Sequence, residues 1–297
     1  MIYRRVEDVD FTLGSLPRMP MPQKVLMTSP EHFDVAYVIN PHMEGHIGSI
    51  DAEEALKQWE KLKSTYNQIG IESHVLPGAS GYPDMVFCAN QSLPFYPVRA
   101  EGPGVILSNM HAPERKGEVP FISKFFDQKG YILTSVSAEN GDDFEGMGDA
   151  IWHPEYYLLW GGFGYRTSEK VYEQISEMLH VRVMALELLD PDFYHLDTCF
   201  SVLTPDTVMI YPGAFTEEGL ALIHHVFDTV IECPEDESRE LFACNAHCPD
   251  KKHVIIQRGC STTVRLLKEA GFKPIEVDTS EYLKSGGSVF CMKQMFW

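Results

Sequence analysis

The chain has 297 residues, of which 44% are hydrophobic and 11% aromatic, so it can bury a substantial core and is not disordered. Its 24 basic and 43 acidic residues give a net charge of −19. This balance argues against nucleic acid and anionic membranes as partners, because both attract basic surfaces. An acidic surface is typical of a soluble enzyme, and an acidic cleft attracts a cationic ligand.

The first residues contain no apolar segment typical of a signal peptide, and no stretch approaches the roughly 18 apolar residues that cross a membrane. The cysteines, odd in number and without framework spacing, are Cys88, Cys199, Cys233, Cys244, Cys248, Cys260 and Cys291. This pattern indicates free thiols in a reducing compartment. We therefore expect a cytoplasmic protein without membrane contact.

Short β-type runs alternate with helical patterns along the chain. The runs are 25–27, 85–88, 105–107, 157–160, 208–211, 254–256, 275–277 and 288–291, and the helical patterns are 51–69, 169–179, 216–226 and 261–270. Some runs are close pairs, as around Ile151 and Leu158, and no G-x-G-x-x-G or P-loop follows a strand. A weak strand–turn–strand–helix repeat of about 50–60 residues predicts an α/β or α+β fold. No linker divides residues 1–297, so we expect a single domain.

Four groups of polar residues lie beside predicted strands or turns. They are Asp84 with Asn90, Glu145 with Asp149, His195 with Asp197, and Cys291 after Gly286 and Gly287. Taken singly, each has an ordinary structural interpretation. Glu145 and Asp149 could decorate a tight turn, His195 and Asp197 could share the face of an extended segment, and Cys291 could be a small buried side chain.

Taken together, these residue types predict chemistry on a planar cation. Paired carboxylates hold a guanidinium through parallel, charge-assisted hydrogen bonds. A bound cation also lowers the pKa of a neighbouring thiol, which would make Cys291 a nucleophile when substrate is present. His195 could then protonate the leaving amine and later activate water.

In this order along the chain, the residues resemble those of the guanidine-modifying pentein superfamily, which includes arginine deiminases, dimethylargininases, agmatine deiminases and amidinotransferases. The resemblance extends from about Val25 to the C-terminus. It implies an α/β-propeller of five ββαβ-type units with pseudo-fivefold symmetry around a central active site. It also implies a small guanidino substrate, with neither a metal nor an organic cofactor.

The resemblance is closest to the arginine dihydrolase group, which converts arginine to ornithine, carbon dioxide and two ammonia. Val38-Ile-Asn40-Pro and Phe87-Cys-Ala-Asn90 resemble the two Asn-bearing motifs of that group. A neutral amide can hold a neutral ureido intermediate, although an Asn beside Pro is otherwise an ordinary turn residue. The segment ending at Arg166 resembles the deiminase stretch whose Arg holds the substrate carboxylate; otherwise Arg166 is a solvated residue after a turn.

The resemblance implies a role for each of these residues. Catalysis is assigned to Cys291, His195, Glu145 and Asp149, and substrate binding to Asp84, Asp197, Asn90, Asn40 and Arg166. Two departures leave the exact substrate open: Phe290 precedes the cysteine where relatives often have a basic residue, and the Asn90 motif differs from the usual one. Some dihydrolases carry a second domain, so we expect any activity on ornithine to come from another protein.

Several alternatives stay open at this point. An amidinotransferase would pass the amidino group to an amine, and a deiminase, a dimethylargininase or a silent pentein that only binds ligand would have similar sequences. A zinc site could use Cys244, His247, Cys248 and Cys260, but no second matched pair is present. In papain-like proteases the catalytic Cys precedes the His along the chain, whereas here His195 precedes Cys291. A homo-oligomer is compatible with the sequence.

Overall fold

The computed structural model describes residues 1–97, 102–137 and 142–297. Within them the strands are β1 (Ile2–Tyr3), β2 (Lys24–Thr28), β3 (Glu72–Leu76), β4 (Ser92–Phe95), β5 (Gly104–Leu107), β6 (Ile132–Ser135), β7 (Ala150–Trp152), β8 (Leu158–Phe163), β9 (Arg182–Glu187), β10 (Phe200–Thr204), β11 (Thr207–Ile210), β12 (Thr229–Glu232), β13 (His253–Gln257), β14 (Lys273–Val277) and β15 (Gln294–Phe296).

Two kinds of helix connect these strands. The α-helices are α1 (Ala52–Gln68), α2 (Val119–Gln128), α3 (Gly146–Asp149), α4 (Val171–Leu179), α5 (Glu217–Val226), α6 (Glu235–Leu241), α7 (Ser261–Glu269) and α8 (Ser280–Leu283). Short 3₁₀ helices span Val6–Asp8, Leu13–Ser15, Pro41–Met43, Pro83–Val86, Pro113–Glu118, Pro191–Phe193, Leu196–Thr198 and Pro212–Ala214. The mixed α/β class predicted from the sequence is confirmed.

The described strands form five small sheets. Their orders are β15-β2-β3, β4-β5-β6, β1-β9-β8-β7, β10-β11-β12 and β13-β14. In the first four, an antiparallel pair shares a strand with a parallel pair whose two strands are connected by one α-helix. In the third, β1 adds a second parallel pairing with β9. The fifth has a parallel pair, and an antiparallel bridge from His247 to Ile255 occupies the position of a third strand.

Helix α1 shows how the sequence specifies such a unit. The Asp51 carboxylate caps the helix by accepting hydrogen bonds from the backbone N–H groups of Glu53 and Glu54. Trp59 and Leu62 then recur at helical spacing on the buried face. The chain leaves the helix at Gly70, whose φ of +86° is accessible to glycine without strain. Helix α1 therefore matches the predicted segment 51–69.

Two of the predicted strands are wrong, and they adjoin or contain the predicted site residues Asp84 and Cys291. Residues 85–88 overlap the 3₁₀ helix Pro83–Val86, and residues 288–291 form a turn in which the Met292 N–H bonds to the Ser288 carbonyl. Both segments are buried on all sides, so their apolar residues follow burial and not strand periodicity.

The prediction of an extended segment around His195 and Asp197 is correct for His195 and wrong for the residues after it. Residues Leu196–Thr198 form a 3₁₀ turn, because both the backbone N–H and the hydroxyl of Thr198 bond to the His195 carbonyl. His195 and Asp197 consequently contact different partners instead of sharing one strand face.

The core contains a group of stacked rings between two sheets. Trp160 on β8 is fully buried, with its ring 5.2 Å from those of Phe227 and Phe200. Its indole N–H donates to His153 Nδ1 at 3.2 Å. In the described part of the chain, no helix combines the length and the apolar character needed to cross a bilayer.

Replacing Trp160 with Ala should lower the free energy of unfolding by about 3–5 kcal/mol, because it leaves a cavity among the stacked rings. Urea denaturation followed by circular dichroism measures the change. The control is Leu189→Ala, which truncates a side chain that is 52% exposed and should change stability by less than about 0.5 kcal/mol. Similar losses in both variants would show that the rings do not form a cooperative core.

Candidate active site

The Cys291 thiol lies in a buried turn between a carboxylate and an amide. Its Sγ is 3.2 Å from Asp197 Oδ2 and accepts a hydrogen bond from Asn245 Nδ2, also at 3.2 Å. Burial raises the pKa of Cys291 well above its ordinary value, and the neighbouring Asp197 raises it further. The thiol is therefore protonated and donates to Asp197.

Asn245 organises the turn that carries this thiol. Its Oδ1 accepts hydrogen bonds from the backbone N–H groups of Ser288, Phe290 and Cys291, at 3.0 to 3.3 Å. Its Nδ2 also donates to the backbone carbonyl of Asp197 at 2.9 Å. One side chain thus joins the two chain segments that meet at the sulfur. Sequence analysis missed Asn245 because it considered Cys244 to Cys248 only as a zinc half-site.

His195 is hydrogen-bonded to Glu145. Its Nε2 lies 2.6 Å from Glu145 Oε2, and its Nδ1 lies 3.5 Å from the amide nitrogen of Asn90. Burial alone would raise the pKa of Glu145, but Arg166 and His195 lower it well below its usual range. Glu145 is therefore a fixed negative charge that orients His195.

Asp149 lies behind His195 and is not part of the cavity wall. Its carboxylate accepts hydrogen bonds from the Thr167 hydroxyl at 2.7 Å and from the Leu196 N–H at 3.0 Å. Burial raises the pKa of Asp149 to about 6. The sequence grouped Asp149 with Glu145, whereas the structure uses it to hold the turn that follows His195.

Next to the thiol is a small cavity, whose wall includes Asn40, Asp84, Asn90, Arg166 and Cys291. Asp84 accepts a hydrogen bond from the Ser285 hydroxyl at 3.0 Å through one oxygen. Its other oxygen, and Oδ1 of Asp197, are buried and form no hydrogen bond within the described ranges, although the neighbouring Tyr37 hydroxyl lowers the pKa of Asp84. Burial raises the pKa of both carboxyls, that of Asp197 to about 7.

The cavity also holds a carbonyl oxygen that is not hydrogen-bonded. Asn40 Nδ2 donates to the Ser285 carbonyl at 3.1 Å, which leaves Asn40 Oδ1 without a partner within the described ranges. Gly286, next to Ser285, has a φ of +82°, and a Cβ there would lie 2.7 Å from this oxygen. Only glycine therefore fits at this point of the turn.

Arg115, which the sequence did not single out, fixes the orientation of Asn90. Its Nη1 donates to Asn90 Oδ1 at 2.9 Å, so the Asn90 amide nitrogen must face His195. Its other nitrogens bond to Glu118 and to the backbone carbonyls of Asp84 and Phe87. The sequence Pro113-Glu-Arg-Lys-Gly-Glu118 looks like an exposed charged segment and gave no signal of burial.

Arg166 is only 5% exposed, so the alternative of a solvated arginine is wrong. Its Nη1 bonds to Glu145 at 3.2 Å, and its Nη2 donates to the Ile39 carbonyl at 2.6 Å. Its guanidinium carbon lies 4.8 Å from the centre of the Tyr194 ring. Arg166 therefore neutralises Glu145 at the cavity wall.

The structure thus brings the predicted residues into one buried region. Some line the cavity, Glu145, His195 and Asp197 contact those residues, and Asp149 supports the turn after His195. The residues of the alternative zinc site do not gather in this way. His247 instead contacts the Tyr66 hydroxyl through Nδ1 at 3.0 Å. Across the described ranges, no group of three His, Cys, Asp or Glu side chains is arranged to hold a metal ion.

A buried thiol, a histidine–carboxylate pair and a small-sheet α/β fold together define the class of the guanidine-modifying penteins, as the resemblance predicted. The sequence profile of eukaryotic N,N-dimethylarginine dimethylhydrolases matches residues 40–296. The chain belongs to this family. Its membership confirms the predicted hydrolase class.

Three relatives illustrate the similarity. The dimethylarginine dimethylaminohydrolase of Mycobacterium tuberculosis is 34% identical over 92% of this chain and 86% of its own length. The bifunctional arginine dihydrolase/ornithine cyclodeaminase ArgZ of Synechocystis is 37% identical over 91% of this chain. The solved N-terminal domain of ArgZ, an arginine dihydrolase from cyanobacteria, has a TM-score of 0.84 at 35% identity, covering 92% of this chain and 97% of that domain.

The chain spans only 37% of the length of the two bifunctional cyanobacterial relatives that it matches. The solved domain, by contrast, is covered almost completely. The similarity therefore concerns the domain that carries the site described above.

Asn245→Asp should slow alkylation of Cys291 by iodoacetamide at pH 8 about tenfold. The substitution keeps an acceptor for the turn but replaces the donor to Sγ with a carboxylate oxygen, and hydrogen bonds to charged groups contribute about 1.5–3 kcal/mol. Mass spectrometry of the Cys291 peptide follows the rate. Asn67→Asp, on the exposed side of α1, is the matched control. An unchanged rate in Asn245→Asp would show that this amide does not stabilise the thiolate.

Proposed function

We propose that this protein hydrolyses the guanidinium group of arginine or a close analogue, using Cys291, and that it acts as an arginine dihydrolase. One observation carries the proposal: Asp84 and Asp197 each have a buried carboxylate oxygen without a partner among the described residues, beside a thiol. A guanidinium presents several N–H donors in one plane and can satisfy both oxygens. Its charge also offsets the cost of burying two carboxylates.

Substrate binding activates the nucleophile in this scheme. The positive guanidinium lowers the pKa of the Cys291 thiol, which burial and Asp197 otherwise hold high. The thiol proton passes to His195, and the sulfur attacks the central guanidinium carbon. His195 then gives this proton to the departing ammonia, which leaves a covalent thiouronium on Cys291.

Water attacks this intermediate in the second step. His195, oriented by Glu145 at 2.6 Å, removes a proton from the water. The carbon–sulfur bond then breaks, the thiol is restored, and a ureido product remains. Asp149 positions the turn after His195 through its bond to the Leu196 N–H. In this scheme Asp149 acts on catalysis only through His195.

Two asparagines support a second round of hydrolysis. The ureido group is neutral, so it binds neutral amides without the mismatch that a charged partner would create. Asn40 Oδ1 has no partner in the described structure and can accept an N–H from the ureido group. Asn90, held by Arg115, borders the same cavity. Overall, arginine and two waters give ornithine, carbon dioxide and two ammonia.

Hydrolysis of dimethylarginine is the second candidate. It is favoured by the family match and by the relative in Mycobacterium tuberculosis, which this chain covers over most of its length. Met43 and Phe87 lie in the cavity wall and could contact methyl groups on the guanidinium. The same thiol chemistry would then release dimethylamine in place of the first ammonia.

We also infer that residues 1–297 form a single catalytic domain, in which the five sheets surround the site as a propeller. The common strand–helix pattern of the sheets supports this arrangement, and so does the pairing of β15 with β2, which joins distant parts of the chain. All seven cysteines are free thiols, which favours a reducing compartment such as the cytoplasm.

Purified protein given L-arginine should release two ammonia and one ornithine per arginine consumed. Cys291→Ala should lower this turnover at least about 10³-fold, because loss of a catalytic nucleophile removes the covalent route. Amino-acid analysis and an ammonia assay measure both products. The control is Cys260→Ala, which removes another buried thiol outside the cavity wall and should keep most of the activity.

The products decide among the alternatives. One ammonia with citrulline would mean a deiminase, and dimethylamine from dimethylarginine would mean the second candidate. A new guanidino compound formed only after an acceptor amine is added would mean an amidinotransferase. Turnover that persists in Cys291→Ala would contradict the thiol mechanism for every one of these substrates.

Asn40→Ala should shift the product from ornithine towards citrulline at least about tenfold, because the ureido group loses a hydrogen-bond partner of about 0.5–1.5 kcal/mol and its orientation for the second attack. Arginine consumption should fall much less, since the first attack depends on carboxylates. Chromatography of the two amino acids gives the ratio. Asn109→Ala is the control, and an equal fall of both steps would contradict the assignment.

A further inference from the structure

A second cavity lies apart from the wall around Cys291. Its volume is about 70 Å³, and most of its wall is apolar, including Met19, Met147, Trp152, Phe290 and Met295. The nitrogen-bearing side chain of Lys293 forms part of the same wall. None of the steps proposed for the reaction uses this cavity.

Lys293 is fully buried, which is rare for an unpaired lysine. Its Nζ has no hydrogen-bond partner within the described part of the chain and lies 3.1 Å from the centre of the Phe290 ring. Both residues border the cavity. Among the described residues the amine forms no hydrogen bond to a carboxylate, and the buried Asp197 carboxylate acts on it only through its charge.

The surroundings determine the charge of this amine. Burial lowers the pKa of Lys293 to about 7, although Asp197, Cys88 and Cys291 oppose this shift. His247 faces the same amine, and burial keeps its own pKa well below the ordinary value. At pH 8 the Lys293 amine is therefore mostly neutral.

A ligand that suits this wall has an apolar body and one negative group. A bound carboxylate would place a negative charge beside Lys293 and make its ammonium form favourable, because pairing the two charges offsets the cost of their desolvation. The methionine and aromatic side chains would remove the hydrocarbon part of such a ligand from water. A cationic ligand would repel the amine once it is protonated, and a neutral one would leave it unpaired.

We propose that this cavity binds a small monocarboxylate with an apolar chain, whose carboxylate pairs with Lys293. The two cavities share no lining residue, although Lys293 acts electrostatically on Cys291 and Asp197. The proposal does not depend on the function proposed above. Because binding converts a neutral amine to an ammonium ion, it takes up a proton from solution. This uptake should approach one proton per ligand at pH 8 and should decrease at pH 6, where the amine is already protonated.

Calorimetry on the full chain tests the proposal with sodium hexanoate, hexan-1-ol and hexylammonium chloride. Hexanoate should bind at least tenfold more tightly than either of the other two. Titrations at pH 8 in two buffers with different ionisation enthalpies should reveal the proton uptake. Hexanoate that binds no better than hexan-1-ol, or binds without proton uptake, would overturn the proposal.

Two variants locate the binding. Lys293→Met keeps an unbranched side chain and should lower hexanoate affinity at least tenfold, with folding checked by circular dichroism. Val202→Phe fills the same cavity while keeping the amine, and should weaken binding even if the first variant does not fold. Unchanged affinity in Val202→Phe, or displacement of hexanoate by L-arginine, would place the ligand elsewhere and overturn the proposal.

Discussion

The hydrogen bonds of the Asn245 amide are the constraint on which the site depends. They join the turn that carries Cys291 to the segment that carries Asp197, so the sulfur and its carboxylate neighbour have one relative position. The turn itself has no strand partners, since its backbone N–H groups bond to a side chain. A single buried amide can do this because it offers donors and an acceptor at once. Gly286, which precedes this turn, allows the chain to pass close to Asn40.

The buried carboxylates near the Asn245 hydrogen bonds are of two kinds. Glu145 is compensated by Arg166 and His195, and its pKa is lowered. Asp84 and Asp197 keep free oxygens and raised pKa values. Arg115 and Lys293 lower the pKa of these two carboxyls without hydrogen-bonding to their side chains, so a cation beside them would offset more of the cost of their burial. Incompletely compensated charges of this kind are a common compromise between stability and function.

The sequence predicted those features that depend on periodicity or on residue chemistry. The segment 51–69 is a helix because its apolar residues repeat along one face, and the polar groups around Asp84, His195 and Cys291 were found because their chemistry is complementary. Residues 85–88 and 288–291 were misassigned because burial on every side gives an apolar run with any backbone. Asn245 and Arg115 were missed because their importance lies in contacts with distant segments, which local spacing does not reveal.

The pairing of β15 with β2 has a consequence for the way the chain folds. These strands meet from opposite ends of the sequence, and nearby the Trp297 indole bonds to the Pro20 carbonyl, 277 positions away. A contact of such separation forms late, because its loop-closure entropy must be overcome first. Until then β2 has an unpaired edge, which favours association with other chains. Cys291 lies just before β15, so its thiol reaches Asp197 and Asn245 only when this closure is complete. Recovery of the proposed Cys291-dependent activity during refolding would therefore report the last step of assembly, after most secondary structure has formed.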